Sequence, residues 1–112
     1  CDNPRQSAEH LFTECTYSQR LFACFERKFK LNEKLSELEK LIGIDPLIER
    51  SLITIKRLSI LRKQLYDFNH QDIKLRWEMF INRVDEIYVI EYAIADRNDK
   101  LPLHLKIWDS HD

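Results

Sequence analysis

The chain has 112 residues, 44% apolar and 33% charged, with a formal net charge of −1. That balance excludes a disordered chain, which combines few apolar residues with a large net charge. It also supplies no global attraction to nucleic acid or to a membrane surface, and no run approaches the roughly 20 consecutive apolar residues of a bilayer span.

A single glycine, Gly43, stands between two long runs of heptad-spaced apolar residues. The pattern predicts an all-α protein. The expected form is an elongated antiparallel three-helix bundle or coiled-coil hairpin with a short C-terminal segment. Residues 1–6 read as a flexible polar lead and 7–112 as a single helical domain with one modest core.

The first helix is predicted to start near Ser7, an acceptable N-cap, with Glu9 in its first turn. Leu11, Cys15, Ser18, Phe22, Phe25 and Phe29 form one stripe. Leu21, Cys24, Lys28, Leu31, Leu35, Leu38 and Ile42 form a second, and both step by threes and fours. The second stripe shifts part way along, which places a bend or break near Asn32. A continuous helix over 7–42 would be about 54 Å long.

Gly43 is expected to end this helix in the left-handed conformation, with Ile44 folding back on Leu38. Asp45 as N-cap and Pro46 at the first helical position would open the second helix. Leu47, Ser51, Thr54, Leu58, Leu61, Leu65 and Phe68 form its main stripe. Ile48, Leu52 and Ile55 flank it on one side, Ile53 and Ile60 on the other. A helix apolar over more than half its circumference is either central or offers a face to another chain.

A turn at 69–72 precedes a third helix carrying Ile73, Trp77, Phe80, Val84, Ile87, Glu91 and Ile94. Residues 87–95 are apolar almost all round and fit a helix better than a strand, given the helical pattern before them. After the polar turn 96–99, residues 101–108 alternate like a strand yet also align Leu101, Leu105 and Trp108 on one helical face.

Charge is unevenly placed. Residues 49–76 hold seven basic and three acidic side chains, and residues 77–112 hold four basic and eight acidic. Antiparallel neighbours with complementary fields account for this. A nucleic-acid footprint would gather its cations on one face, whereas Arg50, Lys56, Arg57, Arg62 and Lys63 ring the second helix.

Candidate chemistry is sparse. On a continuous helix the Cα atoms of Cys15 and Cys24 would lie about 13 Å apart, beyond the roughly 7 Å reach of a disulfide. Either both are core thiols or the helix is interrupted; their apolar stripes favour core thiols. There is no Cys-x-x-Cys, and the four histidines are scattered, so no zinc site is expected. Lys28 and Glu91 break apolar heptads. They could form a buried pair or a small-molecule site, or snorkel from a bundle edge. The helix layout is loosely similar to the helical chorismate mutases, but Arg20, Lys28, Asp45 and Glu49 do not reproduce their motif spacing.

Cys1-Asp2-Asn3-Pro4 followed by a polar lead resembles the mature N-terminus of a bacterial lipoprotein, in which the first cysteine carries the lipid. The resemblance implies a domain facing the periplasm on an inner-membrane tether, with Cys1 as the attachment site. The other reading of Cys1 is the cut edge of a longer chain, and then a cytoplasmic location.

These observations predict a non-enzymatic helical protein-interaction module without cofactor or metal. An envelope lipoprotein with an assembly, inhibitor or immunity-type role is one form of it. The partner would be another protein or a second copy, met through helical faces. Ile53 and Ile60, with Lys56, Lys63 and Trp108 nearby, are the expected contact residues. A small helical enzyme with an inter-helix site, or a cytoplasmic nucleic-acid-associated protein, are the alternatives.

Overall fold

Ser7 begins the chain described by the computed structural model, which covers residues 7–108. The lead 1–6, including Cys1 and its lipid-attachment reading, and residues 109–112 lie outside it. Within it every regular element is helical: a π-helical turn His10–Glu14, then α1 Thr16–Lys28, α2 Glu37–Ile42, α3 Leu52–His70, α4 Trp77–Arg97 and α5 Leu101–Trp108. The expected all-α class stands. The described chain measures 46 × 31 × 20 Å.

The long first helix does not form as one piece. Cys15 is extended, with φ −65° and ψ 119°, and separates the π-turn from α1. Gln19 Nε2 donates to the Phe12 carbonyl at 2.9 Å, giving that turn a side-chain partner for its backbone. The second break falls at Lys30, whose φ of 51° is left-handed, and the chain stays irregular as far as Ser36. The disruption expected near Asn32 is therefore real, and it spans a segment rather than a point.

Ser36 then restarts the helix with a full capping box. Its Oγ accepts from the Glu39 N–H at 3.1 Å, and Glu39 Oε1 accepts from the Ser36 N–H at 3.1 Å. Restarting at Glu37 resets the helical phase, so Glu39 is buried while Leu38 and Ile42 face solvent. The second predicted stripe fails at those two positions for that reason.

Gly43 ends α2 at φ 93°, as its missing Cβ allows. Ile44 does not fold back into cover and remains half-exposed. The predicted start at Asp45-Pro46 is also corrected. Asp45 Oδ1 accepts from the Leu47 N–H at 3.0 Å, which makes a turn instead of a helix. α3 begins six residues later, where Ser51 Oγ accepts from the Thr54 N–H at 3.3 Å.

α3 is the central helix. It packs against α4, α5 and the π-turn, and buries Ile53, Thr54, Leu58, Ile60, Leu61 and Leu65. A connection through 71–76, pinned by buried Leu75, leads to α4. α4 starts at Trp77, leaving Ile73 exposed in the connection. Residues 87–95 are helical within α4, and 101–108 form α5, which lies against α3 and α4.

The core is aromatic at the junction of α1 and α4. Phe25 and Phe80, both fully buried, stand 6.1 Å apart between ring centroids. Phe29 packs edge-on to Phe25 at 4.9 Å, and Trp77 lies 5.0 Å from Phe80. Rings in such tilted arrangements add about 0.5–1.5 kcal/mol per pair beyond their burial.

Candidate functional site

Three places in this fold gather polar or exposed apolar groups: a cleft at the α2–α3 junction, a cluster where α3, α4 and α5 meet, and the solvent side of α4.

The cleft has a volume of about 710 Å³ and runs between the irregular segment before α2 and the start of α3, with Asp45, Glu49 and Thr54 along it. At its base Arg50 grips Glu39 with two bonds, Nε to Oε2 at 2.9 Å and Nη2 to Oε1 at 3.1 Å. Both side chains are almost entirely buried. The same Nη2 donates to the Glu33 carbonyl at 2.8 Å and to the Lys34 carbonyl at 3.3 Å. Arg50 therefore ties the irregular segment to α2. Its guanidinium fork is the group suited to a planar two-point grip on a carboxylate.

Arg62, on α3 itself, donates from Nε to the Lys40 carbonyl at 3.0 Å and from Nη2 to the Leu41 carbonyl. It covers the Phe12 ring at 4.7 Å. It satisfies the carbonyls that the C-terminal end of α2 leaves open. Burial lowers its pKa from the usual arginine value. The cleft is thus a junction held by two arginines whose donors are committed to the backbone and to Glu39.

The second place collects several residues singled out by their pattern. Glu91 joins three helices: Lys56 Nζ of α3 lies 2.7 Å from its Oε2, and Trp108 Nε1 of α5 donates to its Oε1 at 3.2 Å. Lys56 also stands over the Trp108 ring at 5.8 Å. Tyr88 packs on His104 and Trp108, each at 5.1 Å. His104 is buried, and its Nε2 has no hydrogen-bond partner. The supposed Lys28–Glu91 site does not form, because Lys28 is exposed on α1 and the partner of Glu91 is Lys56.

The remaining expected contact residues are placed as follows. Ile53 and Ile60 are only 2% and 8% exposed, so neither is presented to a second chain in this fold. Lys63 points to solvent and pairs with Asp67 at 3.2 Å. Trp108 is buried under α4. Cys15 is buried as expected, while Cys24 is partly exposed and accepts from Arg27 Nη2 at 3.4 Å. Cys24 turns away from the core because the phase of α1 is set by Leu21, Phe22 and Phe25.

The third place is apolar. Phe80, Val84 and Glu91 of α4 point inward or against neighbouring helices, and around the rest of its circumference stand Val89, Ile90 and Ile94, which are 64%, 51% and 50% exposed. α5 adds exposed Leu103 and Leu105. Sequence pattern held the signal for this surface in the all-round apolar run 87–95, since a helix with one buried side must leave the other side of such a run in water.

No group of three or more His, Cys, Asp or Glu side chains converges to hold a metal among the described residues. None of the described helices is long and apolar enough to cross a membrane. Comparison with known proteins found no matching family, curated protein or solved structure.

Proposed function

We propose that this chain is a non-enzymatic helical interaction module that meets another polypeptide through the solvent side of α4. The observation that carries this reading is the exposure of Val89, Ile90 and Ile94 on a helix whose other side is already packed. Large contiguous apolar surface in water marks contact sites in folded proteins. The two other candidate places support the same reading, because their charged groups serve to lock helices together: Arg50, Arg62 and Glu91 each bond to a neighbouring element.

The test is a photo-crosslinking amino acid placed at Ile90 in the producing cell, with the same group at Lys63 as control. A discrete, saturable protein adduct is expected from position 90 and none from position 63. Equal labelling from both positions, or none from position 90, sinks the reading.

A further inference from the structure

We infer that the partner seated on α4 is a second copy of the same helix, crossing antiparallel about a two-fold axis level with the midpoint of Glu91 and Tyr92. This rests on the interaction reading above and names its partner.

Glu86, Ile90, Ala93 and Arg97 recur at i, i+4, i+7 and i+11, so they form one stripe on a helix with about 3.6 residues per turn. All four are exposed. Val89 and Ile94, also exposed, border the stripe on its two sides. The stripe begins with an acid and ends with a base. Rotated end over end about its centre, it lays Glu86 against the partner's Arg97 and Ile90 against the partner's Ala93, while Val89 neighbours the partner's Val89 along one edge of the seam and Ile94 the partner's Ile94 along the other. The two-fold repeats each contact, as a self-complementary interface requires. A parallel pairing would instead set Glu86 on Glu86 and Arg97 on Arg97, which like-charge repulsion disfavours. The small Ala93 opposite Ile90 allows the helices a close approach.

Arg83 pairs with Glu86 at 3.1 Å within the chain. In the antiparallel pairing it falls opposite the turn after the partner's helix, leaving Glu86 to be shared with the partner's Arg97. A membrane surface is the competing occupant of an apolar helix side. Binding there draws on cations flanking the apolar face, but residues 77–112 carry four basic and eight acidic groups.

A contact limited to one stripe of a single helix should bury less than the roughly 1,200 Å² of a standard stable complex, so a dissociation constant on the order of micromolar is expected. Sedimentation velocity of the purified chain from low to high micromolar concentration should show monomer passing to dimer. Glu86→Arg alone and Arg97→Glu alone should each weaken the dimer about tenfold, because each replaces two attractions by two repulsions. The double exchange should restore it to within about threefold of the original. Circular dichroism of each variant verifies that the helices are intact, and Ile90→Gln with Ile94→Gln supplies a charge-neutral disruption.

A monomer at every concentration overturns the pairing. So does a dimer that ignores the charge exchanges, or that the double exchange leaves broken. Flotation with phosphatidylglycerol vesicles that depends on Ile90 and Ile94, without a dimer, overturns it in favour of the membrane. If position 90 still crosslinks to a different protein in the cell while the purified chain stays monomeric, the interaction reading survives and the second copy does not.

Discussion

Arg50 shows how much a single side chain can organise when it is buried with its counter-charge. Removing water from two ions costs several kcal/mol each, and only a close, well-directed pairing recovers it. The paired bonds to Glu39 and the two backbone carbonyls meet that condition. Arg50→Met should therefore destabilise the fold by about 3 kcal/mol in chemical denaturation, since Glu39 is left charged and buried. Glu39→Leu combined with Arg50→Met should recover most of that loss, as apolar pairs often replace buried ions without penalty. Tyr17 is a second residue with a readable consequence. Its hydroxyl donates to the Leu75 carbonyl, and its pKa lies above the ordinary 10.0, chiefly through burial, with Arg76 opposing and Glu78 adding to the rise. A raised value means the folded state prefers the protonated phenol, so this stabilisation is complete below pH 10 and is lost as pH climbs past it. Tyr17→Phe should cost about 1 kcal/mol at neutral pH. It should also shrink the fall in urea midpoint between pH 9 and pH 11.

At the scale of elements, helix ends decide more than helix middles. Periodicity identified the apolar residues of α1, α3 and α4, and most of them are core. Phe22, Phe25, Leu58, Leu61, Phe80 and Val84 are all buried. What periodicity could not carry was phase across a break. Leu38 and Ile42 were assigned inward by extending a stripe through Lys30, where the backbone turns left-handed. Ser36 and Glu39 form a capping box three residues apart, and that local signature marks the true restart. Gly43 was legible as a helix end because a lone glycine between apolar runs suits a left-handed C-cap, and it caps α2 at φ 93°. Gly43→Ala should lower stability by about 1 kcal/mol or more, with a thermal melt as the readout. The new Cβ would be strained at that φ and would press on Arg62 Nη1 at 3.2 Å.

For the molecule as a whole, periodicity placed the surplus apolar surface on α3, whereas Ile53 and Ile60 are buried in the fold and the exposed Val89, Ile90 and Ile94 stand on α4. Ile53 and Ile60 looked like an outward face because α3 is apolar over more than half its circumference. α3 lies between several neighbours, so that breadth is consumed internally. α4 is covered on one side only, and the comparable breadth of 87–95 reaches water there. Which helix is central depends on tertiary contacts, and a local period does not contain them. The distinction has a direct test. Ile90→Gln with Ile94→Gln should leave unfolding free energy within about 0.5 kcal/mol, as surface changes do. Ile60→Gln should cost several times that amount, because it places a polar side chain in the core.

α2 has six residues, too few to persist by its own hydrogen bonds, since an isolated helix in water needs about 12–15. It is instead fastened from α3 and its flank, by Arg50 on Glu39 and by Arg62 on the carbonyls of Lys40 and Leu41. The segment and α3 should therefore open together as one cooperative unit. In native-state hydrogen exchange, the amide of Gly43, bonded to the Glu39 carbonyl at 2.8 Å, should exchange at the pace of the α3 interior. Arg62→Met should release it to the rate of a free loop while the amides of α4 remain slow.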